Sequence, residues 1–399
     1  MKMRERGLFG FKWLLIVFVF LVSCEEDDVL EYDNYLISSA EVKKYTKAEF
    51  LTTLSTVFGA QSAQVSFLVR SGIKLHKISY LTKTPEGMQI TASGAVIVPT
   101  DLTEPLALGS VQHGTIHDNS LAPSYFNQQS ESALGQFFAS TGVIIAMPDY
   151  LGYGDSQNYP HPYEHKTGLA QSNVDFLLAV KEFLKKENIN WNNNLLMAGY
   201  SEGGYATLAT QKLIEEKYSS QFNLKATSCG AGAYDKSKTL ESFINSKTSG
   251  ESTNNRSYIW VLLTYDRLYG FNRPMTDYFI EPYASDIKIN KQNVSIGKSF
   301  DEILNPAFVS GLKNKTETKW LEAIKDNDIT EWKSKVPTRL YHGDADTFVP
   351  FFNSESAQKG MTSKGSSQVT LERISGGTHG SSVQFFLLGT LDLFNTYKN

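Results

Sequence analysis

A serine between glycines, a histidine in a glycine-rich turn and an aspartate in a loop before it are residue types that together turn an alcohol into a nucleophile. This chain carries all three. Gly199-Tyr200-Ser201-Glu202-Gly203 is a G-x-S-x-G motif fed by the apolar run Leu195-Leu196-Met197-Ala198. A hydroxyl is a weak nucleophile at neutral pH, so Ser201 needs a base to take its proton and a carboxylate to orient that base. His379, in Gly376-Gly377-Thr378-His379-Gly380, is the candidate base, because no other histidine follows the acidic loop before it. In that loop, Gly343-Asp344-Ala345-Asp346-Thr347-Phe348-Val349-Pro350, Asp344 and Asp346 compete for the role of carboxylate, with Asp235 a distant third. Attack on a carbonyl creates an oxyanion, which needs backbone donors. The N–H of Glu202, at a helix N-terminus, is one expected donor. The N–H of Thr115, in Gln112-His113-Gly114-Thr115, is the other. His113 reads as structural, and the Glu202 carboxylate as an ordinary partner of the helix dipole.

These groups can meet only if the elements between them fold back on one another. The pattern predicts strands over 74–82, 88–99, 106–112, 143–147, 195–198, 226–229, 338–342 and 369–374, and helices over 165–184, 202–216 and 382–394. Such alternation gives an α/β fold, a mostly parallel sheet flanked by helices. Residues 24–65 read as an acidic linker and a helical segment, with Val42, Tyr45, Phe50, Leu51, Leu54 and Phe58 at helical intervals. The core then divides into 66–234 and 336–399. Between them, 235–335 breaks the alternation. It is rich in Lys, Asn, Ser and Thr, yet clusters aromatics from Tyr258 to Tyr283. A structureless loop of that length is improbable inside a compact domain, so a mostly helical insertion is expected.

Composition excludes several function classes. The formal net charge is -4, which leaves no electrostatic footprint for nucleic acid. Two cysteines, Cys24 and Cys229, provide no disulfide framework. No metal site and no cofactor is expected: His161 and His165 are separated by Pro162 and lack the H-E-x-x-H order of a zinc helix. At the N-terminus, Lys2, Arg4, Arg6 and Lys12 precede an apolar run over 13–22, about half of the roughly 20 residues a spanning helix needs. Residues 1–23 therefore read as an export signal. Leu21-Val22-Ser23-Cys24 resembles a bacterial lipobox, which implies cleavage before Cys24 and its acylation. Cys24 would then tether the protein to the cell envelope, at the outer membrane. The run Glu25-Glu26-Asp27-Asp28 is either a surface-export signal or a solvated spacer.

Several segments resemble, in order, the secretory lipase family of the α/β-hydrolases. They are Gln112-His113-Gly114-Thr115, Pro148-Asp149-Tyr150-Leu151-Gly152-Tyr153-Gly154-Asp155-Ser156, the Gly199 to Gly204 motif, the His342 to Pro350 loop and Gly377-Thr378-His379. The resemblance implies an esterase or lipase with a helical cap between the sixth and seventh strands, acting on a small-molecule, lipid or carbohydrate ester through Ser201, Asp346 and His379. Within the pattern His-Gly-x-x-Asp-x-x-Val-Pro the matching carboxylate is Asp346, and Asp344 becomes a turn former. The rival readings are a serine peptidase of the prolyl-oligopeptidase type, and a non-catalytic surface lipoprotein that binds a ligand on the same scaffold.

Overall fold

The computed structural model describes residues 34–399. Cys24 and the apolar run before it lie outside these residues. Nine strands form one sheet: β1 (Leu36–Tyr45), β2 (Ile73–Lys83), β3 (Gln89–Pro99), β4 (Leu106–Gln112), β5 (Ile144–Pro148), β6 (Trp191–Tyr200), β7 (Asn223–Gly230), β8 (Thr338–Gly343) and β9 (Val369–Ile374). Their order is β1-β2-β3-β5-β4-β6-β7-β8-β9. β1 to β3 pair antiparallel, β3 joins β5 antiparallel, and every pair from β5 to β9 is parallel. The central strands β4 and β5 are buried along their whole length, as a sheet covered on both faces demands.

Helices cover the two faces. On one side α1 (Lys47–Phe58) and α2 (Ser132–Ser140) lie with the C-terminal helix. Phe50, Phe138, Leu393 and Phe394 share a core there with Ile97, Leu196 and Ala226. On the other side α3 (Lys166–Lys186) and α4 (Glu202–Lys217) contribute Leu169, Ala206 and Leu208 to a core with Cys229 and Leu340. Cys229 is fully buried in β7, a small apolar filler whose thiol pKa burial pushes far up. Between β7 and β8 run α5 (Lys236–Asn245), α6 (Ser252–Leu268), α7 (Met275–Tyr278), α8 (Tyr283–Asn290), α9 (Phe300–Ile303), α10 (Pro306–Lys313) and α11 (Thr318–Asp326). They bury a third core around Tyr265, Tyr278, Phe279 and Trp320. The two ends of this insertion are stitched together: Ile329 N–H donates to the Tyr234 carbonyl at 3.0 Å, and the Ser237 hydroxyl to Asp328 at 2.6 Å. The last helices, α12 (Phe352–Ser363) and α13 (Val383–Tyr397), follow β8 and β9.

The N-terminal segment departs from expectation. Val42 and Tyr45 sit on β1, not on a helix, and α1 begins only after Thr46. β1 is an edge strand whose side chains from Ala40 to Lys44 are all exposed, so it is held by backbone pairing to β2 and leaves no alternating apolar signal. Its charged residues Glu41, Lys43 and Lys44 also guard the open edge. The helix start was legible. Thr46 and Glu49 form a capping box, each side chain bonding the other's backbone N–H. The extra strand moves the helical insertion to a point between the seventh and eighth strands of this sheet.

α3 has an unusual cap. The Nδ1 of His165 accepts the Gly168 N–H at 3.1 Å, which requires that nitrogen to be unprotonated. Burial holds the His165 pKa down at about 4. A folded-state value below the unfolded one of about 6.5 means that the unfolded chain binds the proton first, so this cap's stability is present above pH 6.5 and lost as pH falls towards 4. His165→Asn keeps a capping acceptor without a titrating ring. Urea midpoints should then show the wild type losing about 3 kcal/mol relative to the variant across that window.

Candidate active site

Ser201 lies between the end of β6 and the start of α4 with φ 59° and ψ -123°, a conformation that costs a residue with a Cβ about 1–3 kcal/mol. Close packing holds it there. A Cβ on Gly199 would come within 2.2 Å of the Gly203 carbonyl oxygen, and one on Gly203 within 2.1 Å of the Gln112 carbonyl oxygen. Strand, turn and helix can pass this closely only without those side chains. The Ser201 N–H is tied to the Gly230 carbonyl at 2.8 Å, so the neighbouring strand β7 fixes the turn from the other side.

The later strands deliver the other two groups. Asp346 follows β8 and His379 follows β9, and their loops are zipped together by Ala345 N–H to Gly377 O at 3.0 Å and Asp344 N–H to Ile374 O at 3.1 Å. His379 Nε2 is 2.9 Å from Ser201 Oγ, and His379 Nδ1 is 2.7 Å from Asp346 Oδ2. With Nδ1 donating to the carboxylate, Nε2 is left to accept the serine proton. The Tyr200 hydroxyl holds the His379 backbone carbonyl at 2.7 Å, and the Phe348 ring meets the imidazole edge to face, so backbone and ring are each held.

Asp346 has its carboxylate fully buried and fully employed. One oxygen accepts the N–H groups of Phe348 and Val349, each at 2.9 Å. The other faces His379 and, at 3.3 Å, His342 Nε2. Burial opposes ionisation, but hydrogen bonds from His342 and His379 outweigh it and hold the carboxyl well below the usual carboxylate range. Asp344 points elsewhere. It pairs with Arg373 Nε at 2.8 Å and accepts the Gly376 N–H at 2.6 Å, so it shapes the turn that leads to His379 without touching the imidazole. Asp235 caps α5 through the Lys238 N–H.

Thr115 and Glu202 flank the same point. Gln112 is in register with Gly199, and a Cβ on Gly114 would lie 3.9 Å from Ser201 Cβ, so the loop after β4 runs against the serine. Among the described residues no protein acceptor takes the N–H of Thr115 or of Glu202. The Thr115 hydroxyl is 2.8 Å from that of Tyr163. His113 is buried, with its ring nitrogens against the carbonyls of Gly114 and Asp149, a structural arrangement.

Sequence reasoning missed the partner of the Glu202 side chain. The carboxylate is buried against His161, Oε1 to Nε2 2.6 Å, while His161 Nδ1 faces the Leu151 carbonyl at 2.7 Å. Both ring nitrogens face oxygen, so a proton lies between His161 and Glu202 whichever of the two carries it. Nothing local in the sequence joins these residues; the only signal was a carboxylate at a helix start beside the candidate nucleophile. His161→Ala strands the buried carboxylate and should cost about 3 kcal/mol, whereas Glu202→Gln keeps a hydrogen bond to the ring and should cost about 1 kcal/mol or less. Thermal unfolding of the two variants tests the difference.

A cavity of about 100 Å³ includes Ser201 in its lining and is walled mainly by apolar groups, among them Phe243, Leu262, Phe300 and Phe348. The first three come from the insertion. Tyr163, also in its lining, stacks on Trp260 of α6 with centroids 4.4 Å apart and planes 7° apart. Two charged groups interrupt the apolar wall, Glu164 and Lys236, joined as an ion pair. Burial pushes the glutamate carboxyl up and the lysine ammonium down, and their mutual attraction opposes both shifts.

A family model for secretory lipases matches residues 124–384. Comparison with curated proteins gave no match. Among solved structures, a hydrolase candidate from Legionella pneumophila is 23% identical with a TM-score of 0.80, over 91% of this chain and 98% of that one. The rice cell wall degrading esterase LipA from Xanthomonas oryzae is 22% identical with a TM-score of 0.76, over 91% and 98%. The closed state of Candida antarctica lipase A is 13% identical with a TM-score of 0.65, over 91% and 81%. Likeness at these identities carries the fold, and the family match carries the rest. With more than half of its length inside that family's model, the chain belongs to the secretory lipases, ester hydrolases built on the α/β-hydrolase fold.

Proposed function

We propose that the protein hydrolyses carboxylic esters through a Ser201–His379–Asp346 triad and an acyl-enzyme intermediate. The observation that carries this reading is the imidazole of His379 bridging Ser201 Oγ and Asp346 Oδ2 at 2.9 and 2.7 Å. Ser201 Oγ attacks the ester carbonyl while His379 Nε2 takes its proton, and Asp346 stabilises the imidazolium that results. The N–H groups of Glu202 and Thr115 receive the negative charge on the former carbonyl oxygen. His379 returns the proton to the departing alcohol. Water, deprotonated by the same nitrogen, then attacks the acyl-enzyme; the bond from the acyl carbon to Ser201 Oγ breaks, His379 passes its proton to that oxygen, and the acid is released. The helical insertion acts as a cap, and the apolar wall it gives the cavity suits the hydrocarbon part of an ester.

The Leu-Val-Ser-Cys motif supports export and lipid attachment at Cys24 on the cell envelope. Among the described residues no helix is long and apolar enough to cross a membrane. A panel of 4-nitrophenyl esters of rising chain length, set beside aminoacyl 4-nitroanilides and run on a form lacking residues 1–24, tests the reaction class. Turnover of the esters with little or none of the anilides supports the esterase reading, and the reverse favours a peptidase. A fluorophosphonate that labels the wild type no better than Ser201→Ala would leave only a binding role.

A further inference from the structure

The ion pair in the apolar cavity is not required by packing. Replacing a buried pair by apolar groups of similar volume is often neutral or stabilising, so charges kept in a pocket wall invite a chemical reason. Lys236 opens α5, and Glu164 sits in the loop just before α3 with its backbone carbonyl held by the Tyr265 hydroxyl at 2.9 Å. Their side chains are only 4% and 10% exposed, and both line the same cavity as Ser201. The ammonium meets Glu164 Oε2 and lies 4.2 Å from the centroid of the Tyr205 ring. That leaves valences open. Among the described residues Glu164 Oε1 has no protein donor, and the three ammonium hydrogens have one oxygen between them.

An acceptor beside a donor is complementary to a group that both gives and receives a hydrogen bond. A hydrocarbon leaves both unsatisfied, a substrate carboxylate meets the Glu164 charge, and a substrate ammonium meets Lys236. A hydroxyl fits both. We propose that Glu164 and Lys236 form a hydroxyl subsite: the preferred ester carries a hydroxyl in the part that enters the cavity, donating to Glu164 Oε1 and accepting from Lys236 Nζ. This rests on the reading of Ser201 as the nucleophile of an ester hydrolase, and it narrows the substrate class to hydroxylated esters. The hydroxyl belongs either to the acyl chain or to the alcohol.

The test compares kcat/KM for matched esters on the intact protein. Methyl hexanoate against methyl 3-hydroxyhexanoate and methyl 6-hydroxyhexanoate reads an acyl-borne hydroxyl, and propyl hexanoate against 2-hydroxyethyl hexanoate reads an alcohol-borne one. In at least one arm the hydroxylated ester should exceed its plain partner by about 10- to 100-fold, the range of a hydrogen bond to a charged group. In the double variant Glu164→Leu/Lys236→Met that ratio should fall to about threefold or less. The ratio is internal to each protein, so a general loss of activity does not move it. Ratios near one in every arm of the wild type, or a ratio unchanged in the double variant, would overturn the subsite while leaving the esterase reading intact. Should the double variant fail to fold, the wild-type ratios decide alone. If none of the esters is hydrolysed and a fluorophosphonate leaves Ser201 unlabelled, the nucleophile reading falls and the subsite falls with it.

Discussion

Ser201→Gly yields a protein that is inert and yet harder to unfold. Loss of the hydroxyl removes the attacking group, and by comparison with other serine triads turnover of a nitrophenyl ester should drop by about 10⁴–10⁶. His379→Ala should fall in the same range, because the two act as a unit, and combining the changes should add little. The stability change has a different origin. Ser201 is held at φ 59°, ψ -123°, a region open to glycine and strained for serine. Relieving that strain should raise the unfolding free energy by about 1 kcal/mol in urea titration, whereas Ser201→Ala keeps the strain and gains nothing comparable. A Ser201→Gly variant of wild-type activity would end the triad reading. One of normal inactivity but no added stability would mean that the turn is not strained.

Asp346→Asn is the second large effect, at about 10⁴ in kcat with modest change in KM. An amide can present its NH₂ to His379 Nδ1 and so favour the tautomer with the proton on Nε2, the nitrogen that must accept from Ser201. The backbone N–H bonds from Phe348 and Val349 can still be accepted by the amide oxygen, so folding should survive. Asp344→Asn removes an exposed pairing with Arg373 and should lower kcat less than tenfold, since nothing connects it to the imidazole except the turn at Gly376. Equal losses in the two variants would mean that the carboxylate had been assigned to the wrong member of the loop.

The three residues of the proposed triad could be picked out because their local surroundings are demanding. A strained serine needs glycines at 199 and 203, and each loop group follows a short strand, Thr338–Gly343 or Val369–Ile374, with a glycine-containing turn after it. Asp346 was separable from Asp344 only through likeness to a family pattern. The order of residues alone left both open, and what divides them in three dimensions is which one lies under the imidazole. β1 was illegible for the opposite reason: a strand held at an edge by backbone bonds needs no particular side chains. The pairs His161–Glu202 and Glu164–Lys236 join positions far apart in the chain, so their chemistry exists only after the sheet and the helical insertion have formed.

The stitch between Tyr234 and Ile329 has a consequence for how such enzymes diversify. Because the polypeptide leaves the hydrolase scaffold and returns to it through one closed neck, the cost of shutting that long excursion is met at a single junction and grows only slowly with what lies beyond it. Lengthening, shortening or grafting the segment past the neck therefore reshapes the chamber beside Ser201 while sparing the three strand ends that present Ser201, Asp346 and His379.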